Sequence, residues 1–194
     1  MNLINLSSVK IDRRSTDTRQ RLIDTTLDLI DSNGWHAVTL SGVARACGVT
    51  TPACYKHFPS KTSLFEAAAR RLSASLGERA DALIQDDPLE SLVGIGTLLV
   101  DLAAEHPHLF EFNQISPAAI AALDRLDDHP LLALTRGEVE RLAAQQGTDP
   151  TALHLLVWSC LQGYTQLIAV GATTADAAFI RAALRTIVTI GDSS

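Results

Sequence analysis

The sequence predicts an all-α protein in which an N-terminal three-helix helix-turn-helix domain precedes a larger helical domain. Apolar residues recur three and four positions apart along most of the chain, which is typical of amphipathic helices, and no stretch alternates as a strand does. Proline and glycine separate these stretches, as they do where helices begin and end. Charge divides the chain as well. Residues 1–75 contain ten Lys and Arg against six Asp and Glu, whereas residues 76–194 contain six against sixteen, so only the first part is expected to attract a polyanion.

The first predicted helix runs from Thr18 to about Asn33. Thr16 or Asp17 is its expected N-cap, and Gly34 follows its end. Four residues form one apolar stripe along it and predict the face that packs inward: Leu22, Ile23, Leu27 and Ile30.

A helix-turn-helix is predicted by residues 39–60, TLSGVARACGVTTPACYKHFPS. Gly48 ends the first short helix, because glycine tolerates the left-handed conformation of a sharp turn, and Val49 packs back against that turn. Thr50 is a candidate N-cap, and the second helix is expected from about Thr51 to Phe58. The second helix of such a motif can enter the major groove, so the segment predicts DNA binding. The side chains expected to point inward are Leu40, Val43, Ala44, Cys47, Cys54, Phe58 and Leu64.

Helical patterns continue to the end of the chain. A connector helix is expected over residues 61–84, because its pattern begins inside the motif and runs out of it. We therefore predict a flexible basic arm over residues 1–16, containing Lys10, Arg13 and Arg14, a DNA-binding domain over 17–66 and a regulatory and dimerisation domain over 67–194. The later helices are expected over residues 89–105, 117–126, 130–146, 149–170 and 174–190, with a short aromatic segment at 108–116.

Several classes of protein are disfavoured. Three cysteines do not form a disulfide framework, and a reduced, cytoplasmic setting is expected. Cys47, Cys54 and His57 do not predict a metal site, because both cysteines are expected to face inward and no second ligand pair follows. No signal peptide or apolar run of membrane-spanning length is found, so no membrane association is expected. No cofactor motif occurs.

These residues resemble a known family. The stretch from Thr18 to Ala67 is similar to the DNA-binding domain of the tetracycline-repressor (TetR) family of bacterial regulators, over about a quarter of the chain. Cys47 stands for the usual Ala, Gly42 lies inside the second helix, and Pro52 replaces a small residue. The matching positions are Gly34, Thr39, Val43, Ala44, Gly48, Val49, Tyr55, His57, Phe58 and Lys61.

Two groups of DNA contacts are expected. Tyr55, His57 and Lys61 offer a phenol, an imidazole and an ammonium to phosphates. Thr39 and Thr50, as N-caps, lie beside free backbone donors that also favour phosphate. Residues near the start of the recognition helix are candidates for base readout: Thr51, Pro52, Ala53 and Lys56.

The resemblance implies a homodimer and a small-molecule pocket in the second domain. The last two helices, about residues 149–190, are the expected dimer face, because they carry more apolar surface than a monomer leaves exposed. The His106-Pro107 pair, with Trp158 and Gly163, resembles a TetR subgroup with a Trp…His-Gly signature, in which Gln162 replaces the His. A partly apolar effector is expected to contact Phe110, Phe112, Asn113, Trp158, Gln162 and Tyr164.

The resulting hypothesis is a nucleoid-associated transcriptional repressor that binds a near-palindromic operator as a homodimer and is controlled by a small molecule. The sequence is equally compatible with an inducer and a co-repressor. One alternative is a helical interaction protein without DNA binding, because Gly42 and Pro52 are unusual in the motif. An enzyme is the least favoured class, because the residues available for catalysis are scattered: Asp101, His106, His108 and Glu111.

Overall fold

The computed structural model describes residues 15–122 and 129–191, which form ten α-helices and no β-strand. The prediction of an all-α fold is confirmed. The helices are α1 (Ser15–Asn33), α2 (Leu40–Ala46), α3 (Thr51–His57), α4 (Lys61–Asp81), α5 (Pro88–Glu105), α6 (Pro107–Ile115), α7 (Pro117–Ala122), α8 (Pro130–Gln146), α9 (Pro150–Ala169) and α10 (Ala177–Gly191).

The first three helices form the predicted N-terminal unit. α1 packs against α2 and α4, and α2 packs against α3. The apolar stripe of α1 is buried as expected, with Leu22, Leu27 and Ile30 almost inaccessible to solvent. This stripe holds two seven-residue helices that are too short to be stable alone.

Helix α5 is the centre of the larger domain. It packs against α6, α8, α9 and α10, and this position follows from its composition, since it carries apolar residues around most of its circumference. α4 joins the two parts of the fold, because it packs against α1 on one side and against α7 and α8 on another. A shift of α4 relative to α8 would therefore also change the contact between α4 and α1.

Two helix starts differ from the prediction. α1 begins at Ser15, so Asp17 lies in its first turn, where a carboxylate favours the helix dipole, and does not cap a helix that starts at Thr18. α10 begins at Ala177 instead of Thr174. The Asp176 side chain accepts the Ala178 amide at 2.8 Å, which stabilises a start three residues later than predicted.

One further prediction placed the end of a helix too late, and two others fall partly outside the described residues. α4 ends at Asp81, not at Ile84, because the amides of Leu83 and Ile84 turn to carbonyls three residues back. The predicted arm falls almost wholly outside the described residues, as does the end of the helix expected over 117–126. Among the residues that are described, no helix is long and apolar enough to cross a membrane, and no group of His, Cys, Asp and Glu could hold a metal ion.

Candidate nucleic-acid interface

Helix α3 presents its polar residues outward. Tyr55 is 51% exposed, and Pro52 and Lys56 are exposed beside it, whereas Cys54 on the opposite face is fully buried. Thr51, Ala53 and His57 are half-buried at the edges of this outer face. Burial raises the pKa of the Cys54 thiol, and the nearby Cys47 adds to that shift, so Cys54 stays a neutral core group. The outer face of α3 is therefore available to a groove while its inner face holds the fold.

The turn between α2 and α3 is closed by backbone geometry. Gly48 has φ +71°, the left-handed conformation that the sequence predicted there. The Val49 amide donates to the Ala44 carbonyl at 2.9 Å and draws the chain back onto α2. The Arg21 guanidinium, from α1, donates to the Cys47 carbonyl at 2.8 Å. Sequence reasoning missed Arg21, because nothing local links it to a carbonyl 26 residues later.

Three helix N-termini belong to this region, and each has a hydroxyl cap. The Thr39 hydroxyl accepts the Gly42 amide at 3.1 Å, and the Thr50 hydroxyl accepts the Ala53 amide at 3.3 Å. A Cβ on Gly42 would lie 3.0 Å from the Thr39 hydroxyl, so glycine relieves crowding at this cap. Both threonines are exposed, which suits the predicted contacts of free backbone donors with phosphate.

The third N-terminus begins the connector helix. Ser60 and Ser63 cap each other reciprocally, at 3.0 Å and 3.2 Å, and Lys61 follows the cap immediately. The Lys61 ammonium lies 4.8 Å from the centroid of the Phe65 ring, within the range of a cation–π contact. Ser60 was not among the predicted contact residues, although the serine pair three positions apart is a visible capping signal.

Arg45 is a second exposed cation that the predicted set omits. It lies in the last turn of α2, exposed to solvent. With Lys56 and Lys61 it gives the motif a positive charge on α2, α3 and α4. The only sequence signal for such a contact was its position on α2 outside the set of residues expected to point inward.

The predicted effector residues lie in several different environments. Phe110 and Phe112 are fully buried, and Phe112 packs edge-to-face on Phe65 of α4 with ring centroids 5.6 Å apart. The Tyr164 hydroxyl donates to the Thr174 carbonyl at 3.0 Å and accepts the Asp176 amide at 2.8 Å, so it holds the turn between α9 and α10.

Gln162 and Trp158 of that set also have structural partners. Gln162 pairs with Gln114, at 2.6 Å and 3.3 Å between the side-chain amides, whereas Asn113 is one residue away on α6. Trp158 stacks on His154, one turn earlier on α9, at 6.3 Å between ring centroids. None of the six predicted residues lines the cleft of about 650 Å³ that lies between α4 and α8.

A direct bridge joins the two parts of the fold at the ends of α1 and α6. The His106 Nδ1 atom lies 2.7 Å from the Asp31 carboxylate, and the His108 Nδ1 atom lies 2.8 Å from the Asp31 carbonyl oxygen. Asp24 of α1 also faces Arg71 of α4 at 3.7 Å. Burial raises the pKa of Asp24, against the effects of Gln20 and Arg71. The motif is thus attached to the larger domain by α6 as well as by α4.

Comparison with known proteins identifies the family of the helix-turn-helix domain. Residues 22–68 match the family model described as bacterial regulatory proteins, tetR family. Residues 22–68 are therefore a TetR-family domain. The matched residues run from α1 through the motif into α4, and the prediction of a TetR-type transcriptional regulator is confirmed. The C-terminal subgroup stays a prediction.

Relatives of this chain include two nucleoid occlusion factors named SlmA. The one from Marinobacter nauticus is 26% identical over 148 residues, covering 68% of this chain and 76% of the relative. The one from Mannheimia succiniciproducens is 32% identical over 134 residues and covers 62% of each chain. The crystal structure of the regulator FadR from Bacillus subtilis in complex with stearoyl-CoA has a TM-score of 0.70 at 16% identity, covering 87% of this chain and 97% of that one. That likeness shows a shared fold.

Proposed function

We propose that this TetR-family chain binds a near-palindromic operator as a homodimer in the bacterial cytoplasm, represses transcription there and is released by a small molecule. The observation that carries this proposal is the coexistence of an exposed recognition helix with an uncovered apolar face at the opposite end of the chain. Each feature alone fits a simpler protein. Together they fit a DNA-binding protein in which a second copy of the chain sets the distance between the two recognition helices.

The DNA-reading part of the proposal rests on the geometry of α3. Lys56, Pro52 and Ala53 lie on or beside the exposed face, where side chains can reach base edges. Tyr55, His57 and Lys61, together with the caps Thr39 and Thr50, are proposed to hold phosphates on either side of that groove. We add Arg45 to this phosphate group, because it is cationic and exposed on α2.

The dimer part rests on α9 and α10. Leu155 is 62% exposed, Val170 is 65% exposed and Phe179 is 47% exposed, and Leu156 and Leu167 are half-exposed on the same pair of helices. A two-fold pairing of these faces buries this surface and makes a four-helix contact. Gly163, between Leu156 and Leu167, has open space where its Cβ would be, which permits close approach of a second α9.

A two-fold dimer fixes the distance between recognition helices. Half-sites read by such a pair lie about 34–36 Å apart, or a multiple of that distance. An effector that binds better to a different orientation of α4 would change this spacing and weaken operator binding. The similarly folded FadR of Bacillus subtilis was crystallised with stearoyl-CoA, and this complex supports a small-molecule effector in the proposal.

The test begins with selection of DNA ligands from a random library by the full-length chain. We expect a near-palindromic consensus, and gel shifts then measure affinity for it. Lys61→Ala and Tyr55→Ala should each weaken binding to all sequences, by about tenfold, and Lys61→Ala should reduce the slope of affinity against salt by about one ion. Lys56→Ala should relax preference at one base position. Arg136→Ala, which removes an exposed cation from α8, is the matched control and should leave affinity unchanged.

Dimerisation is tested with Leu167→Glu combined with Val170→Glu. Sedimentation should show a monomer, and operator affinity should fall by about a hundredfold or more, because one half-site no longer raises the effective concentration at the other. Ile120→Glu, on α7, places the same charge on a residue that is 52% exposed, and it should change neither property. A double variant that stays dimeric would contradict the proposed face.

A further inference from the structure

A cleft of about 650 Å³ that is open to solvent lies beside the connector helix, between α4 and α8. Small-molecule sites in proteins commonly enclose about 300–1,000 Å³. One wall is formed by α4 residues at one helical face, from Ala74 to Asp81, and the other by α8 residues from Pro130 to Glu138. The cleft therefore has the dimensions of a ligand site, and the predicted effector residues on α6 and α9 are not part of it.

Two glycines explain why the cleft is closed at one end and open along its length. A Cβ on Gly77 would lie 2.3 Å from the Pro130 Cβ, so α4 and α8 are in direct contact where α8 begins. Two turns further along α8, a Cβ on Gly137 would meet no atom within 4 Å. Glycine inside a helix is destabilising relative to alanine, and no close contact requires it at Gly137. Its absent side chain keeps the cleft open.

The cleft has an apolar floor and an acidic rim. Ala74, Ala133 and Leu134 contribute the apolar surface, and Glu78 and Asp81 are exposed carboxylates on the α4 side. Among the described residues that line the cleft there is no lysine or arginine. This arrangement favours a cation with an apolar body over a neutral or anionic molecule of the same size.

A third carboxylate, that of Glu138, lies on the α8 side and is held in place. Glu138 is 6% exposed, and its two oxygens accept from Arg141 Nη1 at 2.9 Å and 2.7 Å. Arg141 also donates to the carbonyls of Gln85 and Asp86, at 3.2 Å and 2.8 Å. Arg141 is thereby held by Glu138 and these two carbonyls, and it does not line the cleft beside Glu78 and Asp81.

We propose that this cleft is an effector site for a lipophilic cation, whose positive group faces Glu78 and Asp81 and whose apolar body covers Ala133 and the backbone at Gly137. The regulatory consequence rests on the proposed function: a bound cation bears on α4, whose first residue is Lys61 beside the recognition helix. Binding itself does not depend on that consequence and is measured separately.

The test uses tetraphenylphosphonium and tetraphenylborate, which have the same shape and opposite charge. Calorimetric titration of the full-length chain should show saturable binding of the phosphonium and none of the borate. Glu78→Gln combined with Asp81→Asn should weaken phosphonium binding by about tenfold or more, since two carboxylates at a partly exposed site are lost. Glu140→Gln, an exposed α8 carboxylate that does not line this cleft, is the matched control and should bind as the native chain does.

Filling the cleft provides a second variant. Gly137→Leu places a side chain in the open space and should abolish phosphonium binding while the helical circular-dichroism spectrum is kept; if that variant does not fold, the surface pair Glu78→Gln and Asp81→Asn still decides. Equal binding of phosphonium and borate, no saturable phosphonium binding, or binding that the charge pair leaves unchanged would each overturn the proposal. Operator affinity is measured on the same samples. If phosphonium does not bind but the operator does, only the proposed cation site is refuted. If the operator does not bind, only the proposed function is refuted.

Discussion

The helix-turn-helix and the last two helices handle apolar side chains in opposite ways. In residues 39–60 the large apolar side chains turn inward, so that Phe58 is 2% exposed, and the outer surface is made of hydroxyls and cations. In α9 and α10, Leu155, Val170 and Phe179 stand about half or more in solvent. The first region is complete within one chain. The second leaves large apolar side chains uncovered, as the proposed dimer face requires.

The two regions also differ in what stabilises them. Helices α2 and α3 have seven residues each, and hydroxyl caps at Thr39 and Thr50, together with the Arg21 bond to the turn, satisfy their ends. Helices α9 and α10 are long and gain most of their stability from buried area against α5. Local hydrogen bonds therefore position the helix-turn-helix, whereas packing against α5 positions α9 and α10.

The largest test of this contrast is a cavity. Phe58→Ala should lower the free energy of unfolding by about 3–5 kcal/mol, because it removes a fully buried ring from a small unit. Phe179→Ala, measured in the monomeric Leu167→Glu and Val170→Glu background, should lower it by less than about 1 kcal/mol, since that ring is half-exposed there. Urea unfolding followed by circular dichroism gives both values. Equal losses would show that the two regions do not differ in this way.

Caps provide a smaller test that separates folding from DNA binding. Thr50→Ala and Asp149→Ala each remove a side chain that accepts a backbone amide at a helix start, and each should cost about 1 kcal/mol of unfolding free energy. Only Thr50→Ala should also weaken operator binding, because its helix is α3, and Thr50→Ser should restore it. An operator affinity reduced as much by Asp149→Ala would contradict this assignment.

The smallest expected effect is a pH dependence of stability, and it arises in the larger helical domain. Burial lowers the pKa of His154 from its ordinary value of 6.5, Arg136 lowers it further, and Glu140 opposes them. The unfolded chain therefore binds a proton more readily, so stability is lost as pH falls below about 6.5. The melting temperature of the native chain should decline more steeply between pH 7 and pH 5 than that of His154→Gln. Parallel declines would show that His154 is not responsible.

Most of the helices follow from local patterns. The turn at Gly48 and the caps Thr39 and Thr50 were predicted because each depends on neighbours within four residues. The connector from Lys61 was predicted for the same reason, although its end was placed three residues too late. The bonds of Arg21 and Asp31 could not be predicted, since their partners lie 26 and 75 residues away.

The effector site shows more clearly that contacts between distant segments cannot be predicted from the sequence. Phe110 and Phe112 were predicted to contact a ligand because they are aromatic. Residue type alone, however, does not distinguish the wall of a pocket from a packed core. The cleft between α4 and α8 has no sequence signature, because it depends on small residues, Ala74 and Gly137, that line opposite walls on two helices far apart in the chain.

The sequence by itself determined the helical class, the motif and its family, because periodicity, caps and turns are short-range properties that each segment carries alone. Only the tertiary structure decided which apolar faces are covered, that Asp31 binds α6, and where a cavity lies. Those features arise from the mutual packing of distant helices, and the free energy of a contact between them does not appear in either segment until the fold brings the two together.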